Sequence, residues 1–118
     1  MTITGNRGSI GAEGERAHTN HHPAIVGHGA VLANNGEYPI GLIVKEDAGG
    51  LLIPYTGSAD TDTPVGVIDE PVNTAEEGAA MVIRHGTVRA NLIKIGATGD
   101  PATADDIKKL ATIGIFAV

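Results

Sequence analysis

From Ala24 onward the chain is built of short aliphatic runs: Ile25-Val26, Ala30-Val31-Leu32, residues 40–44 and Leu51-Leu52-Ile53. Glycine and asparagine separate them at hairpin-like intervals, which predicts strands. Residues 39–45 and 51–55 read as two strands joined by Glu46-Asp47-Ala48-Gly49-Gly50, where Asp and Gly supply the permissive backbone of a turn. Residues 64–69 and 79–84 supply further strands. Residues 86–95 continue past a tight glycine turn, with Val88, Ala90 and Leu92 alternating against Arg89 and Asn91 to give one buried face.

One helix is expected, near the end of the chain. Thr103 offers a hydroxyl cap, Asp106 stands three positions later, and Lys108 and Lys109 fall toward the electronegative end. Ile107, Leu110 and Ala111 form a narrow apolar stripe that can lie on the sheet, and residues 113–118 return as a last strand. The expected fold class is α+β: a small β-rich domain over residues 25–118 with one short C-terminal helix. No repeat of fixed period is present, which excludes a solenoid or propeller.

Residues 1–24 have a different texture. Gly5, Gly8, Gly11 and Gly14 alternate with polar residues, and only Ile3 and Ile10 are sizeable apolar side chains. Such a segment buries too little surface to offset its ordering entropy. It is expected to be a flexible arm, able to reach about 80 Å when fully extended, with Ile3 and Ile10 as anchors for docking elsewhere.

Composition narrows the function. Of 118 residues, 42% are hydrophobic, yet Phe116, Tyr38 and Tyr55 are the only aromatics, so the core is thin and aliphatic. A formal charge of −6 argues against binding a nucleic-acid backbone. The chain contains no cysteine, hence no disulfide framework, thiolate nucleophile or cysteine metal site. The apolar runs are far short of the ~20 residues of a membrane span, and the first residues lack the order of a signal peptide. The expectation is a soluble chain without a membrane partner.

No catalytic constellation emerges. His18, His21, His22 and His28 have spacings that can gather around zinc, but Asn20, Pro23 and the glycines deny them a rigid helix and an orienting shell. A solvated histidine tract is the simpler reading. His85 has no Ser or Cys nucleophile in a strained glycine elbow to serve, and reads as a turn residue. Asp60 and Asp62 resemble the start of a calcium loop, but the required Gly and Glu do not follow. Glu46-Asp47, Asp69-Glu70, Glu76-Glu77 and Asp105-Asp106 suit turns, capping and solubility. Neither glycine-rich phosphate motif occurs. The expectation is a non-enzyme with no metal or other cofactor.

The ordered stretches Pro64-Val65-Gly66-Val67-Ile68 and Met81-Val82-Ile83-Arg84-His85-Gly86-Thr87-Val88-Arg89, followed by Asp105-Asp106-Ile107-Lys108-Lys109 and a terminal apolar strand, carry a resemblance. From about residue 32 to 118 the chain resembles the head decoration, or cement, proteins of tailed bacteriophages, the lambda protein D-like family. Val88 stands where that family commonly has an aromatic, and residues 1–24 match only in polar, low-complexity character. The resemblance implies a β-tulip-like mixed sheet and a structural, non-enzymatic virion protein assembled in the host cytoplasm. Its partners would be the major capsid protein and itself, as a homotrimer at three-fold positions on the outer capsid surface, stabilising the expanded head against packaged DNA.

Under that resemblance the arm would bind the capsid by adding a strand to an exposed sheet edge, with Ile3, Thr4, Ile10, Ala12, His18 and Thr19 as candidate contacts. Ile40, Leu42, Ile115 and Phe116 are the candidate trimer-interface residues, since a thin core gains from added burial in an oligomer. Two rival readings remain: a glycan- or surface-binding β domain of a fiber or adhesin, disfavoured by the scarcity of aromatics, and a small metallohydrolase using His18, His21 and His22.

Overall fold

The computed structural model describes Ala17 and residues 24–57 and 62–118. The strands are β1 (Ile25–Ala30), β2 (Glu37–Tyr38), β3 (Ile43–Glu46), β4 (Leu52–Pro54), β5 (Gly66–Ile68), β6 (Val72–Asn73) and β7 (Ala79–Val88). A 3-10 turn at Ala90–Leu92, short strands β8 (Lys94–Ile95) and β9 (Asp100–Pro101), helix α1 (Ala104–Thr112) and β10 (Ile115–Ala117) complete the chain.

The central sheet is mixed. Its order is β10-β7-β5-β3-β4, with β1 also paired to β7. Strand β10 runs parallel to β7, and the other pairings are antiparallel. Two small ribbons, β2 with β6 and β8 with β9, lie outside it. The fold is thus the expected α+β class, β-rich with one short helix.

Neighbouring residues of each central strand enter different cores. Ile43, Val67 and Ile83 stand in register across three strands and face a first core completed by Tyr55, Ile93, Leu110 and Ile115. Val44, Ile68 and Val82 face a second, closed by Val31, Tyr38, Leu52 and Val72. Both faces of the sheet are covered, which is why these strands read as unbroken aliphatic pairs rather than alternating patterns. At roughly 1.5–3 kcal/mol for each fully buried aliphatic side chain, these rows are the main favourable term. Gly66 permits a close approach between strands: a Cβ there would overlap a Val82 methyl and come within 2.8 Å of the Ile83 carbonyl oxygen.

Local expectations hold where the hydrogen bonds are local. Val44, Lys45 and Glu46 pair with Pro54, Ile53 and Leu52, and the Asp47 carboxylate accepts from the N–H of Gly49 at 2.8 Å and of Leu51 at 2.9 Å. Thr103 and Asp106 form a reciprocal capping box, and Leu110 is buried while Ile107 and Ala111 are half-buried.

Two strand expectations need correction. Residues 39–41 are not paired as a strand, and Leu42 makes only an isolated parallel bridge to Lys94; the Gly41 N–H bonds to the Ile68 carbonyl, and the ladder with β5 starts at Ile43. Likewise β7 runs through Gly86 without turning and ends at Val88, after which Ala90 and Asn91 are exposed on the 3-10 turn. The backbone there is held by other segments, with Arg89 N–H bonded to Ala17 O at 2.9 Å and Ala90 N–H to Val118 O at 3.0 Å.

Candidate interaction surface

Strand β7 carries a bulge. Its register with β1 steps from Val26↔Ile83 to Ile25↔His85, so Arg84 is the extra residue. Before the bulge Ile83 faces the first core; beyond it Val88 takes that role. His85 and Thr87 therefore turn to the other face, the one that Ala80 and Val82 occupy in the second core.

Strand β10 extends this face. Ile115↔Gly86 and Ala117↔Val88 point to the first core, leaving Phe116↔Thr87 on the opposite side. Among the described residues the second core's packing does not extend over Phe116, although Thr87 beside it is buried. Ile25 is 62% exposed, Phe116 46% and Val118 59%, the large hydrophobic side chains left open among the described residues. Gly114, with φ of +88°, brings its backbone against the His85 imidazole, where a Cβ would collide with the ring. Adding any side chain there would displace the imidazole from this face.

Charge is distributed unevenly along β7. His85 and Arg89 stand toward its far end, whereas the Arg84 guanidinium lies back over the sheet, donating to the Val65 carbonyl at 3.4 Å and standing against Gly29, the partner of Ala80. Glu70, Glu76 and Glu77 stand around its beginning, on exposed turns. There His28, Glu70, Val72, Glu77 and Met81 are among the residues that line a groove of about 170 Å³. Along β1 the groove-lining His28 is three residues from the exposed Ile25, about 10 Å.

The expected arm contacts Ile3, Thr4, Ile10, Ala12, His18 and Thr19 lie outside the described residues, as do His21 and His22. Ala17, inside the same segment, is fully buried in the first core. Of the expected subunit-contact residues, Phe116 is exposed and Ile40 is half-buried against the first core. Leu42 and Ile115 are corrections: at 1% and 0% exposure their side chains are spent within the chain. Sequence reasoning missed Ile25 and Val118, because only the bulge and the β10 register reveal which way they face.

Other candidate chemistry resolves into structure. His28 stands opposite Met81 on β1, and His85 lies in a strand rather than the expected turn. Among the described residues no group of three or more His, Asp or Glu is placed to hold a metal ion. Asp62 pairs with Lys45 at 2.8 Å and accepts from the Thr56 hydroxyl at 3.1 Å. The Lys45 hydrogen bond holds its carboxyl below the usual aspartate range. Asp69 and Asp106 are buried, unlike ordinary turn acids; Asp106 is spent on the cap, accepting from the Thr103 N–H at 2.8 Å and hydroxyl at 2.9 Å.

The two buried phenols differ. Tyr38 donates to the Leu52 carbonyl at 2.8 Å and accepts from the Asn35 amide at 2.9 Å, and burial raises its pKa. Tyr55 is wholly buried, with the Lys109 ammonium 5.9 Å from its ring centre, and its hydroxyl has no partner among the described residues.

In comparison with known proteins, the chain matches no family model and no curated protein. Among the described residues no helix is long and apolar enough to cross a membrane.

Proposed function

We propose that this chain is a capsid decoration protein of a tailed bacteriophage, a non-enzymatic homotrimer that adds to the outer surface of the expanded head and braces it against packaged DNA. The observation that carries the reading is the convergence at the end of β7. Ala17 is bonded to Arg89 there, beside the exposed Ile25, Phe116 and Val118. Ala17 thus lies at the same end as this apolar surface. Residues 1–16 would attach by backbone hydrogen bonds to a capsid-protein sheet edge, and three such segments on one trimer raise effective concentration, so weak contacts add up to a durable clamp.

The test mixes undecorated expanded heads with the full chain and with a chain lacking residues 1–16, which keeps Ala17 in place. Added density at three-fold positions with the full chain, absent with the truncated one, is the expected result. Bare heads with the full chain refute capsid decoration; equal binding by both chains refutes attachment through the leading segment.

A further inference from the structure

We infer that in the free protein the leading segment, residues 1–16, closes back on the outer edge of β1 and pairs there with Val26–Ala30 by backbone hydrogen bonds. This pairing goes beyond the proposed function and does not depend on a capsid.

Three observations carry it. The first is a strand edge without a partner. The Met81 carbonyl accepts from the Asp69 N–H, on the β5 side of β7, and in an antiparallel ladder the N–H and C=O of one residue face the same way. His28 stands opposite Met81, so its backbone groups turn away from β7, as do those of Val26 and Ala30 two residues to either side. The neighbouring bonds agree: Val31 N–H points back to Gly78 O at 3.1 Å, and Leu32 N–H points outward to Leu52 O at 3.3 Å. From Val26 to Ala30 this outward row meets no strand among the described residues, and His28 and Ala30 are exposed.

The second observation is what the edge is made of. Ile25–Ala30 contains no proline and no Lys, Arg, Asp or Glu, the residues that keep an edge strand from pairing. At Gly27 nothing stands within 4 Å of the place a Cβ would take, which leaves room for a side chain across the ladder.

The third is where the leading segment is fixed. Ala17 is bonded to the Arg89 N–H, six residues along from Ile83, the partner of Val26, a distance of about 20 Å. Six extended residues counted back from Ala17 cover that distance, which brings residues 7–11, around Ile10, alongside Val26–Ala30 and antiparallel to them. Tethering at Ala17 supplies an effective concentration of about millimolar. A pairing too weak to hold two separate molecules is thereby populated within one, and the same segment stays free to exchange onto another sheet edge.

The experiment is residue-resolved amide hydrogen exchange on the full chain, on a chain lacking residues 1–16, and on Ile10→Pro, which cannot donate to a ladder. Gly27 and Gly29 N–H groups face β7 and report that the body is folded; they are expected to stay protected throughout. Val26, His28 and Ala30 are expected to exchange about tenfold faster in both variants than in the full chain, because exchange follows local opening. Equal rates at these three residues in the full and truncated chains overturn the inference. If truncation also exposes Gly27 and Gly29, Ile10→Pro carries the comparison, and protection in it equal to the parent's overturns the pairing around Ile10. Protection that weakens on dilution assigns the added strand to a second copy and likewise overturns it. Binding to heads is read separately: bare heads refute capsid decoration and leave the closed edge standing.

Discussion

Arg89 donates its backbone N–H to the carbonyl of Ala17 at 2.9 Å, just past the point where β7 ends. This bond joins a residue of the glycine-rich leading segment to the central strand, and the methyl group of Ala17 is fully buried beside it. The body of the protein therefore includes part of what composition alone assigns to an arm.

Enlarging that methyl should be felt by the whole domain. Ala17→Leu forces extra methylenes into a filled site and is expected to cost about 1–3 kcal/mol, seen as a lower midpoint in urea unfolding. A midpoint equal to that of the parent would mean that Ala17 does not belong to the core.

Gly66→Ala tests the close contact between β5 and β7. Its new methyl would meet the side chain of Val82 and the carbonyl of Ile83, and one of these is rigid backbone. A loss of about 1–3 kcal/mol is expected, with thermal unfolding as the readout; unchanged melting would contradict the β5–β7 register.

The buried phenols should respond oppositely to loss of the hydroxyl. Tyr38→Phe removes a donor to the Leu52 carbonyl and an acceptor for Asn35, at an expected cost of about 1–3 kcal/mol. Tyr55→Phe removes a hydroxyl that has no partner among the described residues, so stability should hold or rise. Paired denaturant titrations decide it, and equal losses in both variants would refute the contrast.

Titration offers a further check. Because burial raises the Tyr38 pKa, the unfolded chain ionises first as pH climbs through about 10, and stability should fall there; Tyr38→Phe should flatten that fall. For Asp62 the sign reverses. Its carboxyl is lowered in the folded chain, so the stabilisation is present above the unfolded value near 3.8 and is lost as pH drops through the folded one. The stability difference between the parent and Asp62→Asn should therefore disappear in acid. A constant difference from neutral pH into acid would exclude the Lys45 pairing as its source.

What the sequence determined by itself is what short-range bonds decide. The helix cap depends on Thr103 and Asp106, three residues apart, and the hairpin turn on Asp47 binding Gly49 and Leu51. The α+β class followed from those signals and from aliphatic runs punctuated by glycine. The tertiary structure alone decided which face each residue serves. Leu42 and Ile115 look like Ile25 and Val118 in any local pattern, yet the first two are core and the others are exposed. That assignment hangs on ladder register between segments distant in sequence, and the bulge at Arg84 shifts the facing of everything after it. A one-residue step in pairing carries no signature in local composition, so the interaction surface became legible only when the strands were assembled.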